Sequence, residues 1–111
     1  MVEKKRFLGL GGPPSVTRNG IRYQALRWGK ERGLGQNGGY LLATRLSTGE
    51  ELWLLKVYDV PYDADLEADK RDILITDIDS RWFRSALTVK NERGERFEVD
   101  LDTRQVRRLA P

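Results

Sequence analysis

The chain of 111 residues contains no cysteine and no histidine. Without cysteine no disulfide can form, so a hydrophobic core must stabilise the fold. The two absences also exclude zinc–thiolate sites, cysteine nucleophiles and histidine-based acid–base catalysis. Carboxylate, lysine and tyrosine chemistry remain, as does metal binding by carboxylates alone. We therefore expect a protein that binds rather than catalyses, with no cofactor and no resident metal.

Long apolar runs are also missing, because no stretch approaches the roughly 18 apolar residues that cross a bilayer. The N-terminal sequence MVEKKRFLGLGGPPS begins with positive charge, but its apolar part is short and broken by glycine, unlike a secretory signal. These features predict a cytoplasmic protein that does not associate with membranes.

Aromatic residues are too frequent for a disordered chain, since three Trp, four Tyr and three Phe are present. The apolar fraction is 39% and the charged fraction is 33%, which indicates a small core under a heavily ionised surface. A chain of this length and composition predicts a single domain over residues 1–111.

The segment GYLLATRLSTGEELWLLKVYDV, residues 39–60, carries the clearest structural signal. It reads as two strands joined by a turn at residues 47–50, with apolar residues on both faces. A strand that is apolar on both faces must be covered on both faces, which predicts a layered or closed β architecture. Strand alternation assigns Leu42, Leu46, Trp53, Leu55 and Val57 to one face, and Leu41, Ala43, Leu52, Leu54 and Tyr58 to the other.

Further strands are marked by their turns. Asn19-Gly20 predicts a tight type I′ hairpin, and residues 91–94 predict a second hairpin with Gly94 in the left-handed region. A first strand is expected at residues 4–10 and at most one short helix near 63–70. The pattern predicts an all-β fold, a small and mostly antiparallel barrel or sandwich of about 7–8 strands, with closure into a barrel slightly preferred.

One hairpin resembles a known repeat. The sequence GGYLLATRLSTGEELW is similar to a blade repeat of the quinoprotein-dehydrogenase type of β-propeller, in Gly39, Leu41, Ala43, Thr48, Gly49 and Trp53. A propeller needs about four or more blades, and this chain has room for two. The resemblance therefore indicates shared hairpin geometry, and neither a quinone cofactor nor dehydrogenase activity is expected from it.

The leading candidate for a contact site is the aromatic pair Trp82-Phe83 with its flanking arginines, Arg81 and Arg84. Adjacent residues of a strand point to opposite faces, so at most one of the two rings enters a one-sided core. Aromatic and arginine side chains dominate protein interfaces. These four residues predict a non-enzymatic binding or accessory module that contacts another protein.

An alternative lies in the basic N-terminal half. Residues 1–58 hold ten Lys or Arg and four Asp or Glu, a net charge of +6, whereas residues 59–111 hold ten and thirteen, a net charge of −3. The loop at residues 29–39 contains five glycines and is expected to be exposed and mobile. Small β-barrels bind single strands with basic grooves and aromatic platforms, which would here involve Arg22, Arg27, Trp28, Lys30 and Arg32.

The acidic segment at residues 59–72 allows a second alternative, a carboxylate-dependent hydrolase. It would need two close carboxyl groups, one with a raised pKa. The segment does not follow a calcium loop, because Ala68 and Leu74 stand where that loop needs glycine and glutamate. The sequence leaves open whether the segment meets an ion or a basic partner, and it leaves the oligomeric state open.

Overall fold

A computed structural model describes residues 12–60, 72–81 and 84–110 of the chain. The strand expected at residues 4–10 and the helix expected near 63–70 lie outside these ranges. The described strands are β1 (Ser15–Arg18), β2 (Ile21–Ala25), β3 (Tyr40–Arg45), β4 (Glu51–Lys56), β5 (Ile75–Ser80), β6 (Ala86–Asn91), β7 (Arg96–Asp100) and β8 (Val106–Arg108).

The strands form two four-stranded sheets in which the spatial order follows the chain, β1-β2-β3-β4 and β5-β6-β7-β8. Every pairing is antiparallel. The all-β, antiparallel fold predicted from the sequence is confirmed. The strands that the structure describes do not close into a barrel, so the sandwich is the arrangement that fits.

Two hairpin turns form as predicted. Asn19 and Gly20 have φ values of 52° and 76°, and Arg18 pairs with Ile21 across them, which is the geometry of a type I′ turn. Gly94 has a φ of 78°, and its N–H donates to the Asn91 carbonyl at 2.9 Å. The residues with positive φ in these turns are asparagine and glycine, the types that tolerate the left-handed region.

The β3–β4 hairpin carries a bulge that corrects the expected assignment of faces. Ala43 pairs with Trp53 but Thr44 pairs with Glu51, so Leu52 is the extra residue. An extra residue shifts the register by one and exchanges the two faces of the strand beyond it. Leu41 therefore shares the core face with its partner Leu55, and Ala43 shares it with its partner Trp53. The sequence pattern had placed the two members of each pair on opposite faces.

The core lies between the two sheets. Leu41 and Ala43 from the first sheet and Leu87, Val89 and Val99 from the second are fully buried. The core continues after β4 into the chain that leaves the first sheet. There the Tyr58 ring stacks on the Phe97 ring with centroids 5.2 Å apart, and burial raises the pKa of the Tyr58 hydroxyl. Other buried apolar members of this cluster are Tyr23, Ala25, Val57, Val60, Ile73, Ile75 and Ile78.

The two sheets meet along β1 and β5, where Arg18 links them. Its Nη1 donates to the Ser80 hydroxyl at 3.3 Å and to the carbonyls of Arg81 and Arg84 at 3.3 and 2.5 Å. A second link is the guanidinium of Arg104, which lies 5.8 Å from the Trp53 ring centroid. Among the described residues no helix is long and apolar enough to cross a membrane.

Candidate functional site

The outer face of the first sheet is defined by the register of β2, β3 and β4. Tyr23, Ala43 and Trp53 are cross-strand neighbours on the core side. Successive strand residues alternate between faces, so Arg22 and Gln24 point away from the core together with Leu42, Thr44 and Leu54. This face thus combines one arginine, two polar residues and two leucines.

The glycine-rich segment at residues 29–39 packs against this face through part of its length. Residues 30–33 and 35 are exposed, as expected of a loop, whereas residue 29 and most of residues 36–39 are buried. The segment begins with a 3₁₀ turn, Gly29–Arg32, closed by Gly33 with a φ of 83°. Gly29 and Gly38 are buried, and Gly39 is buried with a φ of 89°. A Cβ built on Gly29 would stand 2.2 Å from the Gln36 carbonyl oxygen and 2.9 Å from the Tyr40 ring, so glycine is required there for close packing.

Gln36 holds the far end of the segment in place. Its side chain is buried, and its Nε2 donates to the carbonyls of Gly38 and Tyr58, each at 2.8 Å. Its Oε1 accepts the Val60 N–H at 3.0 Å. One amide therefore satisfies three buried backbone groups, which fixes the segment to the chain that leaves β4.

A groove of about 770 Å³ lies between this segment and the outer face. We call it the Trp28 groove. Trp28 is 61% exposed, although tryptophan is highly buried on average. The groove is lined by the apolar residues Leu26, Trp28 and Leu42, by the basic residues Arg22, Arg27 and Arg32, by the acidic residues Glu31 and Glu51, and by Pro13, Gln24, Ala25, Thr44 and Gly49.

The charges of the groove are mixed. Arg32 donates to both carboxylate oxygens of Glu51, at 3.1 and 2.7 Å, and this pair lowers the pKa of Glu51 and raises that of Arg32. Arg22 forms no ion pair with any residue in the described part of the chain. The lining holds three arginines and two glutamates, so its formal net charge is +1.

Four of the five residues predicted as a nucleic-acid surface line this groove, namely Arg22, Arg27, Trp28 and Arg32. The fifth, Lys30, is not part of the lining, and its backbone N–H donates to Asn37 Oδ1 at 3.1 Å. Sequence reasoning missed Leu42, Thr44 and Glu51. They follow the glycine-rich segment along the chain, and only the register of the sheet brings them beside Arg22 and Gln24.

The other predicted contact site is described in part, because Trp82 and Phe83 lie outside the described residues. The carbonyls of Arg81 and Arg84 both accept from Arg18, as noted above. The Arg84 side chain pairs with Glu98 at 2.7 Å, and Arg107 pairs with the same carboxylate at 2.9 Å. Arg84 is therefore already engaged in an ion-pair network within the chain.

Of the two close carboxyl groups that a hydrolase would use, one was expected to have a raised pKa. The described carboxyls with a shifted pKa are Glu51, Glu98 and Asp100, and all three shifts are downward. Hydrogen bonds from Arg32, from Arg107, and from the backbone of Thr103 and Asp102 are the respective main causes. These groups are held ionised, the opposite of what a general acid requires.

Most of the acidic segment at residues 59–72 lies outside the described ranges. Within them, no group of three or more acidic side chains comes together in a way that suits a metal ion. No protein-family model matches the chain, and no curated protein sequence matches it.

Proposed function

We propose that this protein is a non-catalytic binding module, cytoplasmic in location, that contacts another protein through the Trp28 groove. The observation that carries the proposal is the exposure of Trp28 in a groove that Arg22 and Leu42 also line. Tryptophan and arginine are the residues most enriched among interface hot spots, and such residues lie in or beside apolar pockets.

The two outer faces of the molecule differ in a way that supports this choice. On the second sheet, Thr88, Glu98 and Arg107 are cross-strand neighbours on the outer face, and their charges are paired. The large apolar side chains that are exposed among the described residues all belong to the first sheet or its loops, namely Trp28, Leu46 and Leu54. Of these three residues only Trp28 lines the groove, where polar and charged side chains share the lining. An exposed aromatic side chain in such a polar setting is consistent with a protein contact.

The charge of the groove favours a protein over a nucleic acid. Binding to a polyanion depends on uncompensated cations that replace counterions along the phosphates. Here Glu31 and Glu51 lie among the arginines, and Arg32 is already neutralised. A peptide segment offers apolar side chains for Trp28 and acidic ones for Arg22, so it matches both parts of the lining.

Quantitative affinity capture followed by mass spectrometry tests the proposal. We expect Trp28→Ala to reduce recovery of the specific partner at least tenfold, because truncation of such an anchor typically costs about 2 kcal/mol or more. Leu46→Ala is the matched control, since Leu46 is also an exposed apolar residue, 46% exposed, outside the groove. Equal recovery with wild type and Trp28→Ala would contradict the proposal. Loss with Arg81→Ala alone would favour the segment at residues 81–84 as the contact.

The nucleic-acid alternative has its own measurement. A fluorescent single-stranded oligonucleotide is titrated with the protein at about 50 mM and about 200 mM salt, a range over which multi-phosphate contacts lose orders of magnitude in affinity. We expect no binding at either concentration. Binding at low salt that falls steeply at high salt and is lost in Arg22→Ala would assign the groove to nucleic acid instead.

A further inference from the structure

The chain contains two asparagine–glycine dipeptides, Asn19-Gly20 and Asn37-Gly38. In such a dipeptide the backbone nitrogen of glycine can approach the asparagine side chain closely, because glycine has no side chain to obstruct it. Attack of this nitrogen on the asparagine Cγ closes a succinimide ring and needs no enzyme. The surroundings of the two dipeptides decide which of them can react.

Asn19 and Gly20 form the exposed turn between β1 and β2. The Asn19 side chain makes no hydrogen bond with any residue that the structure describes. A Cβ built on Gly20 would meet no atom within 4 Å. The side-chain amide of Asn19 is therefore free to turn, and the adjoining backbone has room to move.

Asn37 lies in the glycine-rich segment, and both ends of its side-chain amide are engaged. Its Oδ1 accepts the Lys30 N–H at 3.1 Å, and its Nδ2 donates to Asp72 Oδ2 at 3.0 Å. Gly38 is buried, and a Cβ built on it would stand 2.6 Å from the Ile73 carbonyl oxygen. Ring closure at Asn37 therefore has to break two hydrogen bonds and displace a packed backbone.

We propose that Asn19 is a site of spontaneous deamidation, with water as the co-reactant, and that its contacts protect Asn37 from the same reaction. The Gly20 nitrogen bonds to Asn19 Cγ, the Cγ–Nδ2 bond breaks, and ammonia leaves with the proton of the Gly20 N–H. Water then opens the ring. Addition of water at Cγ gives aspartate, and addition at the main-chain carbonyl of Asn19 gives isoaspartate, in which the main chain runs through the side-chain carbons.

The reaction passes through a transient opening of the turn. Asn19 has a φ of 52° in the type I′ turn, and ring closure requires a backbone conformation outside that of the turn. An exposed turn with few contacts opens locally at a small cost in free energy, whereas a packed segment must first lose its contacts. The difference in reactivity between Asn19 and Asn37 is therefore a difference in the cost of local opening.

Isoaspartate at position 19 should weaken the junction of the two sheets. It adds a carbon atom to the main chain between Arg18 and Ile21, which pair directly across the turn. The geometry of a two-residue turn does not accommodate a longer main chain. Arg18 also donates to the carbonyls of Arg81 and Arg84. We expect the purified isoaspartate form to unfold at a lower urea concentration than Asn19→Asp, and equal midpoints would overturn this part of the proposal.

Timed incubation of the intact, folded protein in mildly alkaline buffer, followed by proteolysis and mass spectrometry of the peptides, tests the modification itself. We expect Asn19 to convert at least tenfold faster than Asn37, roughly the effect of breaking two hydrogen bonds before ring closure. Incubation in concentrated urea is the matched control, because both dipeptides are then free of contacts and should convert at similar rates.

Two results would overturn the proposal. One is equal conversion of Asn19 and Asn37 in the folded protein, and the other is an Asn19 that converts in urea but stays intact in the folded protein. Neither Asn19 nor Gly20 lines the Trp28 groove, so the outcome is independent of the groove's role.

Discussion

Gln36 illustrates how a single side chain positions the candidate site. Its three hydrogen bonds join the glycine-rich segment to Tyr58 and Val60, on the chain that leaves β4. Because Gln36 is 5% exposed, replacing it leaves buried backbone groups without partners. The position of Trp28 in the groove depends on this segment.

We predict that Gln36→Ala lowers the free energy of unfolding by about 2–4 kcal/mol, the cost of several unsatisfied buried polar groups. Urea denaturation followed by tryptophan fluorescence gives the value. The control is Gln105→Ala, since Gln105 is exposed and its change should stay within about 0.5 kcal/mol. Equal stability of the two variants would show that water replaces the amide.

At this scale, the sequence predicted backbone conformations better than side-chain partners. Asn19, Gly20 and Gly94 were predicted in the left-handed region because their residue types and neighbours demand it. The role of Gln36 was not predictable, since a glutamine among glycines carries no pattern that distinguishes a buried anchor from an exposed loop residue. Its partner Tyr58 lies 22 residues away in the chain.

Among the structural elements, the β1–β2 hairpin depends on its two-residue turn. Gly20 has a φ of 76°, where a Cβ is strained even though no atom lies within 4 Å. We predict that Gly20→Ala lowers the free energy of unfolding by about 1–2 kcal/mol, the cost of a left-handed residue with a side chain. Thermal or urea unfolding measures it.

Gly35→Ala is the matched control for this hairpin variant. Gly35 also has open space around it, but its φ is not in the positive region. Alanine there should be neutral or slightly stabilising, because it restricts the unfolded chain without straining the folded one. A loss for Gly35→Ala as large as that for Gly20→Ala would contradict the strain argument.

The elements also show where sequence patterns lose accuracy. The strands and turns of both sheets were predicted because alternation and turn residues are local signals. The predicted assignment of β3 and β4 residues to the same face was wrong because the bulge at Leu52 shifts the register. Leucine occurs both in bulges and in regular pairs, so its presence does not reveal the bulge. Strands that are apolar on both sides do not reveal such a shift.

For the whole molecule, the sequence allowed either a barrel or a sandwich. The contacts of Arg18 explain part of the way in which the two sheets are placed. Its hydrogen bonds to Ser80, Arg81 and Arg84 fix the edge of one sheet beside the other. These partners are more than 60 residues distant in the chain. No periodicity in the sequence reports such a contact, so the choice between barrel and sandwich was beyond pattern reasoning.

We predict that Arg18→Ala lowers the free energy of unfolding by about 1–2 kcal/mol, since charge-assisted hydrogen bonds are worth somewhat more than neutral ones and these are partly exposed. Urea denaturation measures the change. Arg22→Ala is the control, because Arg22 is also on the first sheet and is exposed. Arg18→Ala should lower the free energy of unfolding and leave partner recovery unchanged. Arg22→Ala should reduce partner recovery and leave the free energy of unfolding unchanged.

The order of strands in both sheets has a kinetic consequence. Each strand pairs with the strand that precedes or follows it, so the loops that must close within each sheet are short. Folding rates of small domains rise as contacting residues come closer along the chain. This molecule should therefore refold faster than a sandwich of equal size built from Greek-key connections. The packing of the two four-stranded sheets against each other is the step that joins residues distant in the chain.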